Sequence, residues 1–187
     1  MNDMTPPHSA RASTRGPAAT EFERREAARR AERIARLDEV SEQRALNADR
    51  HRYYSRQLER LVTGLVASRA RVLEVGCGLG DLLAAVGGPG SVGIDISPRA
   101  IEHARRRHPD LDLRVLDVES DPLPEGPFDV VLVSDAIGLF YDIQTALERL
   151  RGLLSPRGRL IVTYYNFLWE PALKLAERLG LKQGWPE

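Results

Sequence analysis

The chain has 187 residues, 42% of them hydrophobic and 29% charged, which is ordinary globular material and enough for one domain with a sizeable core. Lys plus Arg and Asp plus Glu both number 27, so a formal net charge of zero gives no global field favouring nucleic acid or an anionic membrane. A single cysteine, Cys77, excludes an internal disulfide and suits a reducing compartment. The polar, Pro-rich N-terminus lacks the apolar core of a signal peptide and no apolar run approaches a membrane span, so the cytoplasm is the expected location.

Residues 1–19 carry Pro, Ser and Thr with almost no large apolar side chain, and are expected to be disordered because they cannot offset chain entropy by burial. Residues 20–68 are read as N-terminal helices. The first, over 20–47, has Thr20 as a candidate N-cap and Glu-to-Arg pairs at Glu21/Arg25, Glu26/Arg30 and Glu32/Arg36. Its large apolar residues are sparse (Phe22, Ile34, Leu37, Val40, Leu46), which predicts a solvated or loosely docked helix. In the second, Tyr54, Leu58, Leu61, Val62 and Leu65 form a stripe that should lie against a sheet. The start of this helix, His51-Arg52-Tyr53-Tyr54, puts two aromatics where a covering helix could close over a ligand. Tyr54 lies on the stripe and is assigned to packing, whereas Tyr53 is kept as a candidate ligand contact.

From residue 69 onward strand and helix alternate. Val72-Leu-Glu74-Val75 is a short strand running into Gly76-Cys77-Gly78-Leu79-Gly80 and then a helix. Glycines are needed there for positive φ or for close approach of a ligand, and the helix start beyond them favours an anionic or polar group, so the loop is a candidate nucleotide site. The spacing is not that of the dinucleotide fingerprint, because Asp81 stands where its third glycine would fall, and the Gly-Lys-Ser/Thr of a phosphate loop is absent. Further strands are predicted at Val92–Asp95, Leu111–Leu116, Phe128–Val133 and Arg159–Tyr165. Helices are predicted from Ser97-Pro98, over Asp142–Leu154 and beyond Phe167, with a Pro-rich loop at 121–127 and a turn at Ser155–Gly158. The alternation implies an α/β fold, a mostly parallel doubly wound sheet with helices on both faces. Gly76, Asp95, Asp117 and Ser134/Asp135 then fall at the carboxyl ends of four successive strands, on one rim. Asp95 suits a ribose diol, since a carboxylate accepts from two hydroxyls at once.

Over residues 71–166 these motifs resemble the class I S-adenosylmethionine-dependent methyltransferases: Leu-Glu-Val-Gly-Cys-Gly-Leu-Gly, Val-Gly-Ile-Asp95-Ile-Ser-Pro, Asp117 with its Pro-rich sequel, Phe-Asp-Val-Val-Leu-Val-Ser-Asp, and Leu-Ser-Pro-Arg-Gly-Arg-Leu. The resemblance implies a Rossmann-like core binding S-adenosylmethionine. Glu74 and the Gly76 and Ser134 carbonyls would serve the methionine ammonium, and Cys77, Gly78 and Gly80 would form the loop. Asp95 would hold the ribose, Asp117 the adenine amino group, and the Val118 N–H and the Ile96 side chain the adenine ring. The tail Tyr164–Pro171 resembles a bacterial branch in which such a domain is sometimes fused to a glycosyltransferase. The implied acceptor is therefore a small molecule or a glycan or lipid precursor.

The four histidines have no metal-ligand spacing, no metal is expected, and no catalytic base can be named, with Asp135, Tyr141, Tyr164 and Tyr165 read as structural. Two other classes stay open: a non-catalytic nucleotide-binding or interaction module with the same fold, and an NAD-dependent oxidoreductase. The family core has seven strands and five are found here, so residues 69–187 are expected to be a core lacking its last strands, the front part of a longer polypeptide.

Overall fold

The structure is a computed structural model that describes residues 17–164 together with Leu175. The chain divides into two compact units, one reaching Arg33 and one beginning at Ile34. The first contains the front of helix α1 (Pro17–Leu46), which starts three residues before the helix expected from the sequence. There the Glu21–Arg25 pair forms at 2.6 Å, while Glu26 pairs with Arg29 at 3.5 Å. All four side chains stay largely in water, where such pairs contribute little.

The second unit holds the back of α1 and the elements α2 (Ala48–Leu65), β1 (Val72–Val75), α3 (Asp81–Val86), β2 (Val92–Asp95), α4 (Pro98–Arg107), β3 (Asp112–Val115), β4 (Phe128–Ser134), α5 (Ile143–Arg151) and β5 (Leu154–Thr163). The five strands form one parallel sheet in the order β3-β2-β1-β4-β5. Sequence order reverses between β1 and β4, so the carboxyl ends of these two strands flank the switch point at which open α/β sheets bind ligands.

Period-two alternation divides the core between the two faces. Val72, Val130 and Leu132 pack with Val62 of α2 and Val66 just after it, Leu83 and Val86 of α3, and Ile101 and Ala104 of α4. Leu73, Val75, Ile94, Val131 and Val133 pack on the opposite side with Ala146 and Leu150 of α5. Glu74 shares the register of Val72, which turns its carboxyl toward the face covered by α2, α3 and α4.

Three expectations are revised. The stripe on α2 is narrower than predicted, since Val62 is buried but Leu61 and Leu65 are 57% and 42% exposed. The turn expected at Ser155–Gly158 lies inside β5: Leu154 already pairs with Phe128, and the ladder resumes at Arg159 opposite Val130, so the turn residues bulge out of an otherwise continuous strand. Val115, which alternates with Leu111 and Leu113 in the strand predicted over Leu111–Leu116, is exposed at the end of β3 while Leu113 is buried. The helix predicted beyond Phe167 and most of the N-terminal segment lie outside the described residues.

Candidate functional site

The loop after β1 takes its shape from three left-handed glycines, Gly76, Gly78 and Gly80, with φ of 73°, 52° and 79°. Gly76 and Cys77 N–H both donate to Ile94 O, at 2.8 and 3.1 Å, which fastens the loop to the end of β2. A Cβ at Gly76 would stand 2.5 Å from the Ala136 Cβ, whereas one at Gly78 would meet nothing within 4 Å. Gly76 is therefore a packing requirement, and Gly78 borders open space. Gly80 is the N-cap of α3, and a Cβ there would press on His108 at 3.3 Å.

Around this loop lies a cavity of about 610 Å³ lined by Glu74, Gly76, Cys77, Gly78, Ser134 and Asp135 from the sheet rim and by Tyr54 and Leu58 from α2. Glu74 is at its floor, buried, with Oε2 lacking a hydrogen-bond partner among the described residues. Burial pushes its carboxyl up to about 8, against the opposing effect of the Leu83 N–H at the first turn of α3. Nearby negative charge on Asp95 and Asp81 adds to the rise. Cys77 contributes backbone to the loop while its thiol is buried in the core and held in the neutral form, chiefly by burial.

Asp95 is joined to the loop directly. Its Oδ2 accepts the Gly78 N–H and its Oδ1 the Ser97 N–H, both at 2.9 Å, and burial raises its pKa in spite of them. Each oxygen keeps a second lone-pair direction. Asp117 is buried after β3, where its Oδ1 accepts the Glu119 N–H at 3.0 Å, and Val118 packs into the core with its carbonyl held by Arg149 at 2.7 Å. Ile96 is half-buried beside Asp95.

The fold thus gathers Glu74, Gly76, Cys77, Gly78 and Ser134 around one cavity. Gly80, Asp95, Ile96, Asp117 and Val118 follow along the same sheet end but do not line it. Tyr53 is 77% exposed and is not among the lining residues, whereas Tyr54 is. Successive helical residues diverge by about 100°, so only one of the two tyrosines can share the inward face of Leu58. The pairing of Tyr54 with Asp135, which sequence reasoning assigned to structural roles, spans the cavity: the phenol donates to Asp135 Oδ2. Arg44, Arg52, Arg56 and Arg107 also line it and were not anticipated. The fingerprint-breaking Asp81 has a structural partner, since Arg107 forks onto it at 3.2 and 3.1 Å and His108 Nε2 lies 2.8 Å away. Among the described residues no cluster of His, Cys, Asp and Glu could hold a metal, and no helix is long and apolar enough to cross a membrane.

A glycine loop, a buried acid and a switch-point cavity could serve several nucleotide ligands, and comparison with known proteins decides the family. A methyltransferase-domain family model matches residues 73–160, from β1 into β5. Residues 73–160 thus carry a methyltransferase domain. This methyltransferase domain is 38% identical over 103 residues to the aklanonic acid methyltransferase of Streptomyces sp. strain C5, covering 50% of this chain and 47% of that one. It is 36% identical over 100 residues to the demethylmenaquinone methyltransferase of Thermus thermophilus, covering 49% and 46%. The chain therefore spans about half the length of these relatives. The fold is also that of the PH0226 protein of Pyrococcus horikoshii, with a TM-score of 0.61 at 26% identity over 71% of this chain and 62% of that one.

Proposed function

We propose that the methyltransferase domain binds S-adenosylmethionine against the Gly76–Gly80 loop and transfers its methyl group to a small-molecule acceptor. The observation that carries this reading is the Glu74 Oε2, buried at the floor of the cavity with no hydrogen-bond partner among the described residues. A buried acid with a raised pKa is suited to receive a cation, which would favour its ionised form and supply the missing partner. The open space at Gly78 leaves room for a ligand to lie on the loop backbone.

When bound, the cofactor supplies a methyl group on a sulfonium, open to in-line displacement. The chain's own residues hold and enclose it. Glu74 would give up its proton and pair with the amino group, joined by the Gly76 and Ser134 carbonyls. Asp95 would accept the ribose hydroxyls on the lone pairs that its two N–H bonds leave available. Asp117, Val118 and Ile96 would form the adenine end, and Tyr54 and Leu58 would limit water above the loop. Positioning and exclusion of water make up most of what such a displacement asks of a protein.

The relatives are named for aklanonic acid and demethylmenaquinone, both small molecules, which supports an acceptor of that size. Incubation with S-adenosylmethionine tritiated on the methyl group and a cell extract tests this reading. Label is expected in the low-molecular-weight fraction, and label confined to protein or nucleic acid would contradict it.

A further inference from the structure

One polar contact joins the two walls of the cavity. Tyr54 on α2 donates its hydroxyl to Asp135 Oδ2, just past β4. Asp135 is held from the other side by β5: its N–H donates to Thr163 O at 3.2 Å, and Thr163 Oγ1 lies 3.3 Å from its Oδ1. Its φ of 53° is a left-handed conformation that few residues other than glycine adopt, and Asp and Asn are the ones that tolerate it best. One carboxylate oxygen is thus tied to the sheet, and the other meets a hydroxyl across the cavity. Burial, followed by the bond to Asp135, pushes the Tyr54 phenol well above its ordinary value of 10.0, so it stays neutral and donates a hydrogen bond. Ser134, Gly76 and Glu74 line the same cavity, which sets the Asp135 carboxylate beside the cofactor's methionine end in the reading above.

We propose that Asp135 binds the methyl acceptor by accepting a hydrogen bond from its reacting group, and that Tyr54 occupies that place until the acceptor displaces it. The acceptor class follows: a small molecule whose reacting atom carries a proton, a hydroxyl, phenol or amine. An ionised carboxylate would meet like charge there, and an apolar carbon would leave the Asp135 oxygen without a donor. The proposal rests on the methyl-transfer reading.

The test uses phenol as the probe and toluene, of nearly the same shape but without a donor, as its control. Both are titrated by NMR into the protein saturated with S-adenosylhomocysteine, whose binding is first measured in each variant. Tyr54→Phe retains the ring and releases the carboxylate. This variant is expected to bind phenol about tenfold more tightly than toluene, and more tightly than the unaltered protein binds phenol. In Tyr54→Phe/Asp135→Gly the preference should vanish, glycine being chosen because it suits the left-handed backbone. Equal affinity for phenol and toluene in Tyr54→Phe, or a preference that survives loss of the carboxylate, overturns the proposal. Failure of the unaltered protein to bind S-adenosylhomocysteine would instead bring down the methyl-transfer reading, and this proposal with it.

Discussion

Asp38 of α1 holds Ser97 at the start of α4: its Oδ1 accepts the Ser97 hydroxyl at 2.5 Å and the Arg99 N–H at 3.1 Å. Ser97 is itself the N-cap, accepting the Ala100 N–H at 3.0 Å, and its own N–H supports Asp95 at 2.9 Å. A helix outside the sheet is thereby wired, through two hydrogen bonds, to the carboxylate assigned to the ribose. Asp38→Ala should cost about 1 kcal/mol in thermal unfolding, as loss of a capping acceptor does, and should weaken S-adenosylhomocysteine binding several-fold. Stability lost with affinity unchanged would show that the contact braces α4 alone.

Glu74 makes the protein without cofactor sensitive to pH. Its folded value of about 8 lies above the ordinary 4.5, so the folded state binds the proton more tightly than the unfolded chain does. Stability from this group is complete below about 4.5 and is lost as pH rises toward 8. Glu74→Gln should flatten that decline, which denaturant titrations at pH 5 and pH 8 will show. If a cation binds beside Glu74, cofactor binding at pH 7 should release about one proton, read from calorimetry in buffers of different ionisation enthalpy. An equal slope and equal proton release in the Gln variant would remove Glu74 from the site.

Gly76 and Gly78 should separate folding from binding. Gly76→Ala forces a Cβ to within 2.5 Å of Ala136 at a φ of 73°, and is expected to destabilise by about 2–4 kcal/mol. Gly78→Ala meets nothing within 4 Å and carries only the cost of its left-handed backbone, about 1–2 kcal/mol. Its larger effect should be on cofactor affinity, about tenfold or more, because the new methyl stands where the ligand would lie. Melting curves and calorimetry on the pair check the split, and a reversal would place the ligand elsewhere.

The fold was legible where burial is complete. Val130–Val133 reads as a buried central strand because it is apolar on both faces, and Gly76, Gly78 and Gly80 read as a tight loop because their left-handed φ suits glycine. The sheet-end placement of Asp95 and Asp117 followed from alternation alone. What was not legible depends on tertiary angle. The stripe put Tyr54 on the side of α2 that faces the sheet, but only the docking angle of α2 brings it, and not Tyr53, to the cavity. Alternation put Asp135 on the rim but not its role, since its αL backbone and its bond to Tyr54, 81 positions earlier, exist only once β4 and α2 meet. The bulge in β5 was hidden because Pro156 and Gly158 look the same in a turn and in an interrupted ladder.

Titration calorimetry with S-adenosylhomocysteine and with NAD, on one preparation of the protein and on Asp95→Ala, tests the central claim most directly. The account predicts saturable binding of S-adenosylhomocysteine, none of NAD, and a loss of about ten- to a hundredfold in Asp95→Ala, from charge-assisted hydrogen bonds worth about 1.5–3 kcal/mol. Saturable NAD binding with no response to S-adenosylhomocysteine, or an affinity indifferent to Asp95, would contradict it.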